Sequence, residues 1–110
     1  MQVLDRYDGV PVLFTVRTSQ GQLRLAYRCA DTDASEAFLL VPITEAQVVA
    51  LILGALPLAT PFAQAEHVCQ LWRDSRTGHL SLPRRVLWAL LPDAMRPATN
   101  VCLQLPDGPV

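Results

Sequence analysis

His67 and Cys69 stand two residues apart in the stretch 67–73, HVCQLWR. On a β-strand that spacing puts both side chains on one face. An imidazole beside a thiol can act as base and nucleophile, or as two ligands of a metal ion. A hairpin of 67–73 with 79–82, closed by the 74–78 loop, is predicted here. Its register leaves His79 near Arg73, a strand's length from His67, so no third ligand is supplied. Asp74 and Glu66 contribute only in a different register. The plain alternative is a half-buried cysteine and a surface histidine on an ordinary strand.

Two groups of arginines are the other candidates. Arg17, Arg24 and Arg28 are expected to meet on the outward face of a first hairpin, where guanidinium forks could grip phosphate or carboxylate groups. That set would suit a ligand- or nucleic-acid-binding domain, although Asp31, Asp33 and Glu36 lie near enough to balance it. The net charge of −1 gives no general attraction toward nucleic acid or anionic lipid. Arg84 and Arg85 beside Trp88 form the second group, of residue types enriched at protein-binding hot spots. Trp72 reads as core, and Trp88 is open between core and surface.

All nine basic residues are arginine. The missing lysine excludes Schiff-base and P-loop lysine chemistry. The close pairs Asp5/Asp8 and Asp31/Asp33 sit in turn-like contexts, where aspartate bonds its own backbone. No GxSxG, GxGxxG or EF-hand spacing occurs. Neither a cofactor nor a metal is expected.

With 110 residues the chain is read as a single domain, 1–110, able to build one core but not two. Hydrophobic residues make up 51% and charged residues only 17%, so apolar surface is expected to remain for self-association or a partner. Cys29, Cys69 and Cys102 are odd in number and far apart, which argues against a disulfide framework. Met1 to Tyr7 carries Asp5 and Arg6 and does not read as a signal peptide. The longest apolar run, Val48 to Ala59, falls short of the ~20 residues that span a bilayer. A cytoplasmic protein with no membrane association is expected.

The elements that must position these residues follow from periodicity. Strands are predicted at 11–17 and 23–29, joined by a turn at Gly21, with Leu23, Leu25, Tyr27 and Cys29 inward. The unbroken apolar run 37–41 reads as a central or doubly covered strand. Thr44 and Gln47 form a capping box that starts a helix over about 45–53, with Gly54 as its stop. Thr60-Pro61 opens a short second turn. Arg84 to Leu91 is either a helix or an extended edge, and 101–105 reads as a last strand. The fold class is α+β: a small antiparallel sheet of two hairpins and further strands, with one principal helix packed on it.

That helix is too apolar for one core. At ~100° per residue, Val48, Leu51, Ile52 and Ala55 already fill a buried arc, and Val49, Leu53 and Leu56 nearly double it. Its excess must meet other parts of the fold or another chain.

Tyr7-Asp8-Gly9-Val10-Pro11, Leu13-Phe14, the Gly21 hairpin, Val41-Pro42-Ile43-Thr44-Glu45, and the Leu91-Pro92 and Pro97 tail resemble a group of small uncharacterised bacterial domains. In that group a Tyr-Asp-Gly start precedes a hairpin, and a Val-Pro-x-Ser/Thr-Glu step leads into the helix. The resemblance implies this element order and carries over no activity and no catalytic residue. The expected function is a non-catalytic protein–protein interaction module of inhibitor, antitoxin or adaptor type, forming homo-oligomers and binding another protein. Val49, Leu53, Leu56, Arg84, Arg85 and Trp88 are its expected contact residues.

Overall fold

The computed structural model describes residues 1–99 and 101–103. Six strands form one antiparallel sheet in sequence order: β1 (Gln2–Tyr7), β2 (Val10–Arg17), β3 (Leu23–Asp31), β4 (Ser35–Pro42), β5 (His67–Asp74) and β6 (Arg84–Leu87). Two helices, α1 (Glu45–Ile52) and α2 (Thr60–Ala65), fill the connection between β4 and β5. The molecule is therefore mostly sheet, with helices packed on it.

Local chemistry accounts for most boundaries. Asp8 and Gly9 both take positive φ, 54° and 79°, as a tight β1–β2 hairpin demands. In the next hairpin Gly21 (φ 82°) donates its N–H to the Thr18 carbonyl at 2.8 Å. The capping box on α1 is complete: Thr44 Oγ1 accepts from the Gln47 N–H at 3.1 Å, and Gln47 Oε1 accepts from the Thr44 N–H at 3.0 Å.

Strand alternation gives the sheet two faces. Ala37, Leu39 and Val41 of β4, with Leu25 of β3, are fully buried on one of them. Leu13, Val68, Phe62 of α2, and Val48 and Leu51 of α1 complete that core, and Trp72, Trp88 and Met95 pack against it. Phe62 sits at its centre, 6.2 Å from the Tyr27 ring centroid and stacked on Trp88 at 6.0 Å.

Four expectations need correction. An unpredicted strand, β1, precedes the predicted start at residue 11, because Asp8-Gly9 closes a hairpin. The partner of β5 is Arg84–Leu87, not 79–82, with His67 opposite Leu87 and Gln70 opposite Arg84. From 79–82 only an isolated bridge, Arg73 to Leu80, remains. Instead of one principal helix there are two short ones of similar length. Residues 101–103 form no strand; the Leu58 N–H donates to the Val101 carbonyl at 2.8 Å, so this segment lies against the helical layer. Gln104 and Leu105 lie outside the described residues.

Gly54 ends α1 with φ 73°, and a Cβ built there would come within 2.7 Å of the Leu103 carbonyl oxygen. Gly21 shares the positive φ but faces open space. Gly21→Ala is expected to cost about 1 kcal/mol of left-handed strain. Gly54→Ala should cost roughly twice that or more, since the clash adds to the strain. Urea denaturation of the two variants checks this; equal losses would remove the Leu103 contact from the account.

Candidate functional site, an open sheet face

The second face of the sheet carries the unusual chemistry. Register places Phe14 opposite Ala26, Ala26 opposite Leu40, and Leu40 opposite Cys69. In the neighbouring row Arg28 faces Phe38, and Phe38 faces Leu71. Alternation adds Val12 and Val16 to this face. Apart from the small Ala26, these apolar side chains are half-buried, and none belongs to the core cluster or its packed neighbours. Phe14 and Phe38 meet edge to face at 5.8 Å. Among the described residues, both helices and their connecting segments pack on the opposite face. A one-sided antiparallel sheet ordinarily shows a polar face to water; this one is apolar through its middle.

Charged groups frame that apolar strip. At one end Glu36, only 8% exposed, lies between two arginines. Arg28 Nε is 2.8 Å from Glu36 Oε2, near enough for an ion pair though its N–H is not aimed at that oxygen. Arg28 also meets Asp31 at 2.8 Å, and Arg73 bonds Glu36 Oε1 while its guanidinium lies over the Phe38 ring. The hydrogen bond from Arg73, helped by the charges of Arg73 and Arg28, holds the Glu36 carboxyl below its ordinary value against the opposing effect of burial. Arg24, opposite Val16 and Pro42 at the other end, and Arg85, opposite Cys69 at the β6 side of the strip, have no carboxylate within ion-pair reach among the described residues. Arg24 reaches Gln22 at 3.4 Å, and its buried Nε has no partner.

The structure redistributes the arginines expected to act together. Arg17 pairs with Leu23 in register, which puts it on the helix-covered face, where it bonds Glu45 at 2.8 Å. It does not join Arg24 and Arg28, because the hairpin register opposes residue 17 to 23 rather than 24. Arg84 and Arg85 alternate onto opposite faces, and Trp88 turns inward to stack on Phe62, with Arg96 over its ring at 5.8 Å. Those three therefore form no single patch.

The helix residues divide as well. Val49 and Leu53 of the α1 segment are 55% and 57% exposed, whereas Leu56 is half-buried against the core. Val49 and Ile52 line a cleft of about 600 Å³ between α1 and the sheet, with Arg17 and Glu45 paired across its rim.

His67 and Cys69 do share a face, the open one. His79 stands beyond the far end of β5, next to the Arg73–Leu80 bridge. Among the described residues no three His, Cys, Asp or Glu side chains are grouped to hold a metal ion. Cys29 lies in the core, where burial pushes its thiol up, away from the thiolate a nucleophile needs. No described helix is long and apolar enough to cross a membrane. No protein-family model matches the chain, and neither a curated protein nor a solved structure shows significant similarity to it.

The open face was hidden in the sequence by its own alternation. Val12-Leu13-Phe14 and Ala37 to Val41 are apolar in both phases. Strand 37–41 is central in the sheet but covered on one face only: Ala37, Leu39 and Val41 are sealed, while Phe38 and Leu40 are not.

A carboxylate with a depressed value stabilises the fold above its unfolded value, and that contribution is lost as pH falls through the folded one. Stability should therefore decline as pH drops below about 4.5, the ordinary value for Glu36. Glu36→Gln should flatten part of that decline; the remainder includes Asp74, which is held low by the Thr77 and Arg76 N–H groups. Denaturation midpoints of both proteins between about pH 3 and 7 supply the check. Parallel curves would show that the Arg73–Glu36 contact does not operate in solution.

Proposed function

We propose that this chain is a non-catalytic protein-interaction module of the cytoplasm, of inhibitor, antitoxin or adaptor type, and that it docks another protein on its open sheet face. One observation carries the reading: the apolar strip from Phe14 to Leu71 has no covering layer among the described residues, while the other face is packed by the helices and the segment after β6. A domain buries each apolar sheet face against some second layer. Exposed contiguous apolar surface of this kind marks interaction sites. The scattered titratable groups on that face favour recognition over catalysis.

Side chains reserved for a partner contribute little to the fold itself. Phe38→Thr and Leu40→Thr introduce a β-branched strand former and are expected to cost about 1 kcal/mol each or less. Leu39→Ala, between them but on the sealed face, should cost about 2–5 kcal/mol. A photo-crosslinking residue at Leu71 should give a discrete protein adduct in cells, and one at the exposed Ala63 of α2 should not. Equal stability losses at 38, 39 and 40, or no adduct from 71, would remove the docking face.

Self-association is a second reading, favoured by the exposure of Val49 and Leu53 beside the α1 cleft. Solution mass by light scattering should rise with concentration, and Leu53→Glu should return a folded monomer. A wild-type monomer at every concentration would leave these two residues as ordinary surface.

A further inference from the structure

Resting on the sheet face as a docking site, we propose that its occupant is an acidic amphipathic helix of another protein. Shape and charge argue for it separately. Strand addition is disfavoured at both edges. β1 is broken by register shifts around Asp5, and β6 is four residues long, follows Pro83 and carries Arg84 and Arg85. A partner therefore comes onto the face, where a helical layer is what an antiparallel sheet packs against. The strip from β2 to β5 is roughly 15 Å wide at about 4.8 Å per strand spacing. A helix of about ten residues covers that distance.

Charge selects the partner's sign. The face carries four guanidinium groups, those of Arg24, Arg28, Arg73 and Arg85, against the two carboxylates of Asp31 and Glu36. The face is thus locally positive on a chain whose net charge is −1. Both carboxylates are taken up at the Arg28/Arg73 end, so the uncompensated charge is concentrated on Arg24 and Arg85. A second copy would present the same excess of guanidinium groups on its own face, so face-to-face pairing would join two surfaces of like sign, which like charges oppose. Single-stranded nucleic acid would need open aromatic faces and a stronger basic field. Here Arg73 already lies over Phe38, and the strip is mainly aliphatic.

The test uses two synthetic helical peptides of about 18 residues, five turns, with one leucine face and flanks of either glutamate or lysine. Amide shifts of the labelled full chain locate and quantify binding. The glutamate peptide should move amides of β2 to β5, bind roughly tenfold tighter than the lysine peptide, and weaken with added salt. Arg24→Glu with Arg85→Glu should invert that preference, and Arg24→Gln with Arg85→Gln should abolish it if the reversed pair fails to fold. Equal binding of the two peptides, binding of neither, or shifts confined to α1 would overturn the proposal. So would a doubled mass with the same amides affected, which indicates a second copy, or displacement of the glutamate peptide by an oligouridylate. Adducts from position 71 without peptide discrimination would leave the docking face standing and remove only the acidic helix. Absence of both would remove the docking face as well.

Discussion

The structure depends on a mismatch between a sheet with two apolar faces and a chain with one layer of cover. β4 sets the problem. Its residues Ala37, Leu39 and Val41 point into the core and are fully buried, while the intervening Phe38 and Leu40 point the other way. β2 repeats the pattern with Leu13 and Thr15 against Phe14 and Val16. A strand that is apolar in both phases belongs to the middle of a three-layer arrangement. The described residues, with six strands in one sheet, supply two layers.

Chain connectivity decides which face is covered. β1 to β4 are joined by tight turns with no residues to spare, so those connections cannot fold over either face. The long β4–β5 connection carries α1 and α2, and α2 packs on β4 and β5. The segment after β6 returns to the same side. Trp88 stacks on Phe62, Met95 reaches Gln70, and the Val101 carbonyl accepts from Leu58. Both available pieces of cover thus interlock with each other over a single face, with Gly54 pressed against Leu103 as one of the points of contact. Each reinforces the other's position, and among the described residues nothing packs on the opposite face.

Much of this was legible in the sequence, and the parts that were not share a cause. The capping box at Thr44 and Gln47, the Gly21 turn, the start of β5 and the inward set on β3 all rest on contacts within a few residues, which local chemistry specifies. The Asp8-Gly9 turn is a signal of the same local kind and points to β1, but a lone pair of turn residues near the chain start is easily read as a boundary. Arg17 shows the limit of alternation. It shares a phase with Leu13 and Thr15, and closing the 18–22 loop pairs it with the inward Leu23, so the same register that forms the hairpin separates it from Arg24. β6 was ambiguous because RRVLWALL suits a helix as well as a strand, and only pairing with His67 to Gln70 settles it. The open face could not be seen from periodicity, which detects which residues could be buried but not whether the chain has anything to bury them with.

The Arg28–Glu36–Arg73 cluster gives the open face a direction. A carboxylate only 8% exposed is costly unless compensated, and here two guanidiniums compensate it inside the sheet's own framework. That end of the strip is consequently neutralised and held in place before any partner arrives. Arg24 at the other end and Arg85 at the β6 side are left with charge, and Arg24 Nε is a buried donor without a partner. Buried donors without partners are uncommon in folded proteins, because the desolvation they suffer is not returned. An acceptor delivered from outside would satisfy that donor and cover the adjoining apolar row in the same event. Because the Arg28 end is neutralised by its carboxylates and Arg24 is not, a docked acidic helix would have a preferred polarity as well as a preferred face, which apolar contact alone would not impose.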